Sequence, residues 1–301
     1  MTATPAFRVA AVEYERALPD LRHVRESVFV QEQNVPLALE WDEIDPLCRH
    51  VLARDVQGQP IGTGRLTPQH SIGRMAVLAD WRGRGVGDAL LLALIDEARR
   101  LGWRELSLHA QVSAIGFYAR HGFLAYAARF VEAGIEHQSM RRLLDKPNPV
   151  DSRDAALTAL LGVIAGARRS LQLYSRELDP GLLDAPEILA ALRRFATQDG
   201  QVQVLLQDPG TPQRALAPLI ELSQRLPSAF ALRAVEEPVD LAYASAFVVN
   251  DRGGWYFRTL GHRFDGETEP DGQARARQLR ATFEPMWERA RVCTEFRALG
   301  L

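Results

Sequence analysis

The segment RGRGVG, residues 82–87, lies between a strand-like run and a long amphipathic helical pattern. A loop that joins a strand to the start of a helix exposes backbone N–H groups with no partner inside the helix. These donors and the positive end of the helix dipole attract phosphate, and glycine lets a ligand approach the backbone closely. The segment therefore predicts either a pyrophosphate-binding loop or a glycine-rich turn with two solvated arginines.

The glycine spacing distinguishes this loop from two other nucleotide-binding loops. A P-loop is excluded because no Gly-Lys-Ser/Thr follows the glycines. The dinucleotide-binding GxGxxG pattern is excluded because Gly83, Gly85 and Gly87 alternate, so its third glycine is missing.

A linker is predicted at residues 146–152, where two prolines and polar residues interrupt regular structure. It divides the 301 residues into a first domain, 1–145, and a second, 153–301. Hydrophobic periodicity predicts the order helix, antiparallel strands, strand–loop–helix, strand–helix and two strands for the first domain. The expected fold class is therefore α/β in both halves.

Composition narrows the function classes. A net charge of -2 and a pI near 6.4 argue against general nucleic-acid or membrane-surface binding. The sequence has two cysteines that lie far apart and no zinc-type Cys/His spacing, so we expect no metal site. It also has no signal-like or membrane-spanning apolar run, so we expect a cytoplasmic protein.

Two motifs support the phosphate-binding interpretation of the loop. Arg82, Gly85 and Gly87 fit the pattern (Gln/Arg)-x-x-Gly-x-(Gly/Ala). The segment QVSAIGFYARHGF, residues 111–123, fits Asn-x-x-Ala-x-x-Phe/Leu-Tyr-x-Lys-x-Gly-Phe, with Gln111 in place of Asn and Arg120 in place of Lys. Together the motifs resemble the GNAT acyl-CoA N-acyltransferases.

The resemblance narrows to the ElaA-like branch of that superfamily and covers residues 20 to 144. The segments that carry it are VFVQEQNVP (28–36), the RH pair (49–50), IGRMAV (72–77), LHAQ (108–111) and EAGIEHQSM (132–140).

This resemblance implies an α+β fold with a mixed, mostly antiparallel sheet and flanking helices, and acetyl-CoA as co-substrate. The strand before the loop would splay from its neighbour and expose backbone groups to the pantetheine arm and thioester. Tyr118 would lie near the sulfur and protonate the departing thiolate, although an aromatic residue in a helix can also simply pack in the core. The implied acetyl-CoA contacts are Met75, Ala76, Val77, Arg82, Gly83, Arg84, Gly85, Val86, Gly87, Gln111 and Tyr118.

The general base and the acceptor side stay open at this stage. An amine must lose its proton before it attacks, which requires a carboxylate or an imidazole. Glu132 and His137 come before His50 as candidates for the base. The full set of candidates is Glu32, Glu40, Asp42, His50, His109, Glu132 and His137. The acidic EWDEID segment, residues 40–45, is either a solvated loop or a surface that attracts a cationic amine. The acceptor-side candidates are Glu32, Glu40, Asp42 and His50.

The second half resembles, more weakly, a single phospholipase D-like unit without its catalytic residues. The strand YASAFVVN places Tyr243, Ser245 and Asn250 where that family has the His, Lys and Asp of its motif. This half is therefore expected to bind, assemble or deliver substrate, with ligand contacts near Ser175, and not to hydrolyse phosphodiesters.

The leading hypothesis is an N-acetyltransferase that acts on a small-molecule or peptide amine. The alternative is a regulatory protein that binds acyl-CoA without catalysis. The sequence does not identify the acceptor amine or the acyl chain length, and it leaves a homo-oligomer open.

Overall fold

A computed structural model describes residues 6–209, 218–294 and 296. The chain forms two compact units, which differ from the two predicted domains in one segment of the first domain. Unit 1 comprises residues 1–111 and 127–146, and unit 2 comprises residues 112–126 and 147–301. The segment 112–126, which carries Tyr118, thus groups with the second half of the chain.

Unit 1 is built on a mixed sheet with the order β1-β2-β3-β4-β5-β8, and β7 pairs with β8. All neighbours are antiparallel except β4 and β5. Its elements are β1 (Phe7–Val12), α1 (Tyr14–Arg25), α2 (Leu37–Glu40), β2 (Arg49–Asp55), β3 (Pro60–Leu66), β4 (Ser71–Val77), α3 (Val86–Arg100), β5 (Glu105–Gln111), β7 (Phe130–Glu132) and β8 (Ile135–Leu143).

The core of unit 1 follows the predicted periodicity. Helix α3 buries Leu90, Leu91 and Leu94 completely. It lies so close to β3 that a Cβ at Gly62 would come 2.9 Å from the Cδ1 atom of Leu90. The antiparallel strands, the helix after the glycine loop and the two late strands are confirmed, and they fit the mixed, mostly antiparallel sheet expected of the first half.

One departure from the sequence-based expectation lies after α1. The sequence predicts a continuous helix from Leu21, whereas the chain changes to a π-helix at Glu26–Glu32. Such segments are rare and frequently mark functional sites. Here it ends immediately before Gln33, whose side chain reaches β5.

Unit 2 contains a second sheet with the order β16-β12-β11-β10-β13-β14-β15-β9, in which β10, β11 and β12 are parallel. Its elements are α4 (Ile115–Arg120), β6 (Leu124–Ala125), β9 (Asn148–Val150), α5 (Arg153–Gly166), β10 (Ser170–Ser175), α6 (Pro186–Ala196), β11 (Gln201–Leu206), α7 (Pro218–Arg225), β12 (Phe230–Ala234), α8 (Pro238–Leu241), β13 (Ala246–Asn250), β14 (Trp255–Arg258), β15 (Gly266–Glu269), α9 (Gln273–Arg289) and β16 (Arg291–Val292).

The α/β alternation predicted for the second half is confirmed, as is the β13–β14 hairpin at DRGG. The short strands β9, β15 and β16 were not predicted. Within the described ranges, no helix is both long and apolar enough to cross a membrane.

Candidate active site

The glycine loop presents an open surface at the start of α3. Gly83 and Gly85 have φ angles of 72° and 83°, in the left-handed region that glycine adopts without strain. Apart from the glycine itself and its two chain neighbours, no described residue has an atom within 4 Å of the place where a Cβ would stand at Gly83 or Gly85. Helix α3 begins at Val86 with no side-chain cap, so its first N–H groups have no side-chain acceptor from the cap. The loop can therefore take a phosphate group against its backbone.

Strand β4 leaves β5 just before this loop. The parallel pairing consists of Ser71 with Ser107 and Ile72 with Leu108. On its other edge β4 continues along β3, where Ala76 pairs with Thr63. The segment Met75–Val77 therefore runs beyond the last residue paired with β5. This is the splay that the family resemblance implied.

A β-bulge accompanies the splay. The register between β3 and β4 shifts between Thr63 and Arg65, and Arg74 on the bulged strand has a φ of 50°. Gly64 lies opposite the bulge, and a Cβ there would be 2.6 Å from the sulfur of Met75. A bulge bends its strand and redirects side chains, which explains how β4 turns away from β5.

The two arginines of the loop differ in what they contact. Arg82 forms a bidentate ion pair with Glu32, with Nη1–Oε1 and Nη2–Oε2 distances of 2.7 and 2.6 Å. Its Nε donates to the Val77 carbonyl at 3.0 Å. Hydrogen bonding to Arg82 lowers the pKa of Glu32. The guanidinium of Arg84 instead lies over the Trp81 ring, 5.2 Å from its centroid. Glu32, predicted on the acceptor side, is therefore held at the loop.

The acidic segment 40–45 faces arginines. Asp45 is fully buried, and its Oδ1 accepts from Arg25 at 2.9 Å and from Arg65 at 2.7 Å. Asp42 accepts from Arg65 at 2.8 and 2.6 Å. We call this set the arginine–carboxylate network; its members are Arg25, Arg65, Arg74, Glu40, Asp42 and Asp45.

Burial makes the network a structural feature. Glu40 is only 2% exposed and pairs with Arg25 at 2.5 Å and Arg74 at 3.2 Å. Burial raises the pKa of Glu40 despite these arginines. The three carboxylates are matched by three guanidinium groups, so the network offers no excess negative charge to an amine. The structure thus gives Glu40 and Asp42 arginine partners in place of an open acceptor surface.

His50 lies beside the same network. Its Nε2 is 2.8 Å from the Asp45 carbonyl oxygen, and burial lowers its pKa. Asp45, Cys48 and His50 bring potential ligand atoms within 4.8 Å of one another. These atoms already have other partners, because Cys48 donates to the Ile44 carbonyl and burial raises its pKa to about 11. Hydrogen bonds therefore account for the positions of Cys48 and His50 in this trio.

The three remaining candidate bases surround Phe130 on one face of the sheet. We call this group, His109, Glu132 and His137, the histidine cluster. His109 Nδ1 lies 3.7 Å from Glu132 Oε2, with both side chains more than half exposed. The rings of His109 and His137 lie 4.8 and 5.8 Å from the Phe130 ring. The strand register explains the grouping. Phe130 on β7 pairs with His137 on β8, and His137 pairs with Gln111 on β5. His109 lies two residues before Gln111 and therefore on the same face of the sheet.

One hydrogen bond defines the tautomer of His137. Its Nδ1 is 2.9 Å from the Ile135 carbonyl oxygen. A carbonyl only accepts, so Nδ1 carries the proton and a neutral ring keeps its lone pair on Nε2. His137 is therefore set up to accept a proton at Nε2.

Gln111 and Tyr118 occupy different units. Gln111 ends β5, and its Nε2 donates to Gln33 Oε1 at 2.9 Å. Tyr118 lies on α4 of unit 2, and its ring makes edge-to-face contacts with the rings of Phe117 and Phe123, at centroid distances of 4.9 and 6.1 Å. Burial raises its pKa to about 12, so the hydroxyl stays protonated at neutral pH.

The residues at the phospholipase D-like motif positions have structural partners. Asn250 is buried, donates to the Val163 carbonyl and accepts from the Gly254 N–H at 2.8 Å in both cases. The Ser245 hydroxyl donates to the Thr259 carbonyl. The predicted ligand residue Ser175 is likewise buried and donates to Asp179 at 2.7 Å.

Two family profiles match the chain, one on each side of the predicted linker. A profile described as an acetyltransferase (GNAT) domain matches residues 18–144. A profile described as a domain of unknown function, DUF7931, matches residues 152–299. The phospholipase D-like interpretation of the second half therefore finds no support in this comparison.

Individual relatives match the GNAT description. The Bacillus subtilis uncharacterized N-acetyltransferase YjcF is 37% identical over 132 residues, which are 42% of this chain and 94% of YjcF. Among solved structures, an acyl-CoA N-acyltransferase from Pseudomonas aeruginosa is 29% identical, with 45% of this chain and 99% of that chain covered and a TM-score of 0.42. Escherichia coli ElaA is 25% identical, with 45% and 99% covered and a TM-score of 0.42.

Proposed function

Since the chain belongs to the GNAT acetyltransferase family and is an acyl-CoA N-acyltransferase, we propose that it transfers acetyl from acetyl-CoA directly to an amine. The observation that carries this proposal is the glycine loop at the start of α3, directly after a strand that has left its neighbour. In this arrangement the loop takes the pyrophosphate, and Met75–Val77 follow the pantetheine arm.

Backbone groups and Arg84 provide the phosphate contacts in this proposal. Arg82 already has a full partner in Glu32, so it shapes the loop more than it supplies free charge. Gly83 and Gly85 leave room for phosphate oxygens, and Val86 and Gly87 contribute N–H groups at the helix start.

His137 is the proposed general base. The attacking nitrogen forms a bond to the acetyl carbonyl carbon, and the C–S bond breaks when the tetrahedral intermediate collapses. The nitrogen must lose a proton in this process, and His137 Nε2 can accept it because Nδ1–H is held by the Ile135 carbonyl. His109 and Glu132 flank the same surface, and the carboxylate of Glu132 favours a cationic amine.

Tyr118 is proposed to donate a hydrogen bond to the departing sulfur, a role that rests on its place in the sequence motif. A thiol has a reference pKa of about 8.5, far below the value of about 12 to which burial raises the pKa of Tyr118. Complete proton transfer would therefore be uphill by about 5 kcal/mol. A hydrogen bond stabilises the thiolate without that cost, and solvent then supplies its proton.

The second half is proposed to serve binding or assembly. Phosphodiester hydrolysis of the phospholipase D type needs a histidine nucleophile and a lysine cation. These positions are occupied by Tyr243 and Ser245, and Asn250 stands at the position of the aspartate. The packing of α5, considered below, suggests a more specific task.

Thiol release from acetyl-CoA tests the proposed reaction. The full chain is incubated with acetyl-CoA and a panel of spermidine, lysine, histamine and a peptide with a free N-terminus. We expect amine-dependent thiol release together with acetylated product, which mass spectrometry detects. Release that no amine accelerates, or that yields only acetate, would contradict direct transfer to these amines.

A further inference from the structure

Helix α5 opens the second half of the chain and packs against α4, the helix that carries Tyr118. Both helices belong to unit 2. Helix α5 starts at a capped end, where the Ser152 hydroxyl accepts from the Ala155 N–H at 3.2 Å. Most of its residues are buried, and it shares one hydrophobic cluster with Leu124, just beyond α4.

The closest approach is between backbones. A Cβ on Gly162 of α5 would lie 2.3 Å from the carbonyl oxygen of Ala119. Since real Cβ atoms do not come this close to a backbone oxygen, any residue larger than glycine must push the two helices apart. Ala119 directly follows Tyr118, so such a shift would move Tyr118 as well.

A hydrogen bond fixes the segment after α4. The Thr158 hydroxyl oxygen accepts from the Ala125 N–H at 3.0 Å, and both residues are buried. The same hydroxyl lies 3.0 Å from the carbonyl oxygens of Asp154 and Ala155, to which its proton can go. Without this acceptor, the buried N–H of Ala125 would lose its partner, which destabilises the position of this segment.

Helix α4 needs such external support. It has six residues, and isolated helices shorter than about 12 residues are marginal in water. Its position is therefore determined by the elements that it touches, and α5 contacts its backbone at Ala119.

We propose that α5 positions Tyr118 for acetyl transfer, with Gly162 and Thr158 as positioning residues. The domain of unknown function thereby contributes to the reaction of the GNAT domain. This inference rests on the proposed role of Tyr118 at the departing sulfur.

The test uses the full chain with the substitutions Thr158→Val, Thr158→Ser and Gly162→Ala, each alone and with Tyr118→Phe. Thr158→Val removes the acceptor at constant size, and Thr158→Ser retains it. The matched control is Thr282→Val, because Thr282 donates to the Gln278 carbonyl four residues earlier on the exposed face of α9. Thiol release is measured with acetyl-CoA and spermidine, lysine, histamine and the peptide as separate acceptors, and the folded state is checked by thermal unfolding.

We expect Thr158→Val to lower kcat by roughly tenfold, since misplacement of a reacting group by about 1 Å can cost up to a hundredfold. KM for acetyl-CoA should stay unchanged, Thr158→Ser should restore the rate and Thr282→Val should have no effect. In the Tyr118→Phe background, Thr158→Val should cause no further loss, because the two residues act through one group. Gly162→Ala should behave like Thr158→Val.

A spectroscopic signature follows Tyr118 without any acceptor amine. With tyrosine labelled by ¹³C at Cζ, the Tyr118 signal, assigned by its loss in Tyr118→Phe, reports its ionisation. Burial raises the pKa of Tyr118 to about 12, so the wild-type signal should stay that of the neutral phenol at about pH 10.5. In Thr158→Val it should titrate closer to the ordinary value of about 10.

Three results would overturn the inference, on two different grounds. If Tyr118→Phe is slow but folded Thr158→Val keeps the wild-type rate and Tyr118 titration, α5 does not position Tyr118. The same holds if the two substitutions reduce kcat independently. If Tyr118→Phe itself keeps the wild-type rate, the proposed role of Tyr118 fails instead. Thr158→Val keeps the test decisive if Gly162→Ala does not fold.

Discussion

Unit 1 contains two groups of carboxylates and basic side chains that look alike in the sequence and differ in burial. In the arginine–carboxylate network, Asp45 is wholly buried between Arg25 and Arg65. In the histidine cluster, His109 and Glu132 are 56% and 59% exposed and lie 3.7 Å apart. The network has fixed partners for its charges, whereas His109 and Glu132 of the cluster are accessible to a ligand. The difference teaches that burial and pairing, more than residue type, separate a structural role from the chemical role proposed for the cluster.

The largest expected effect is on stability, from Asp45→Ala. It leaves two buried guanidinium groups without their shared carboxylate, and breaking a buried ion pair costs about 3–5 kcal/mol. Urea unfolding of the full chain measures this loss. The comparison variant Glu132→Ala removes an exposed carboxylate and should change the free energy of unfolding by less than about 0.5 kcal/mol. Equal losses in the two variants would erase the distinction between the groups.

For His137→Gln we expect a loss of activity with little change in stability. Loss of a general base lowers kcat by roughly 10²-fold or more, while the melting temperature should barely move. Steady-state thiol release from acetyl-CoA with the panel amines measures the rate. His70→Asn is the control, because His70 is exposed and its ring stacks on Trp103, whereas His137 stacks on Phe130. A His137→Gln enzyme with the wild-type rate would remove His137 from the mechanism.

A smaller effect is expected on the pH dependence of stability, through the ionisation of Asp45. Burial alone would raise the pKa of Asp45, but hydrogen bonds and the charges of Arg25 and Arg65 outweigh burial and lower it. The ionised carboxylate thus stabilises the fold above its unfolded-state pKa of about 3.9, and this contribution is lost as the pH falls below that value. The stability difference between wild type and Asp45→Asn should therefore shrink below about pH 4. A difference that is constant or grows with acid would contradict the lowered pKa of Asp45.

The smallest expected change in stability comes from Glu32→Gln. Glu32 and Arg82 are each 44% exposed, and exposed ion pairs contribute at most about 1 kcal/mol. The substitution frees the Arg82 guanidinium beside the glycine loop, so acetyl-CoA should bind about two- to fivefold more tightly at low salt, with the gain reduced at high salt. Calorimetric titration at two salt concentrations measures this. Weaker binding would mean that Glu32 holds the loop in its binding shape.

Local patterns predicted the parts of the site that are local in sequence. The glycine loop and α3 follow from contiguous residues, because turn glycines and helical periodicity are short-range signals. The splay of β4 was implied by the family motif, and the bulge at Arg74 explains it physically. His109 and His137 come together through strand register, which the predicted strand order made accessible.

Partners that are distant in sequence could not be found in this way. The acidic segment 40–45 predicts a solvated loop or an amine-binding surface. The sequence does not reveal its partners, because Arg25, Arg65 and Arg74 reach it from other elements. The approach of Gly162 to Ala119 joins residues on either side of the predicted linker. A glycine within a helical pattern signals close packing only once its neighbour is known. The π-helix at Glu26–Glu32 likewise has no distinct hydrophobic period.

Binding of acetyl-CoA to the glycine loop is the central claim, and a thermal shift tests it most directly. Wild type, Gly85→Glu and the control Gly58→Glu are unfolded with and without acetyl-CoA. Gly58 also has a positive φ and open space at its Cβ position, but lies in the β2–β3 turn. At about 100 times its dissociation constant, acetyl-CoA should stabilise wild type and Gly58→Glu by about 2.7 kcal/mol, a shift of a few degrees. The shift should vanish in Gly85→Glu. An unchanged shift in Gly85→Glu, or none in folded wild type, would contradict the account.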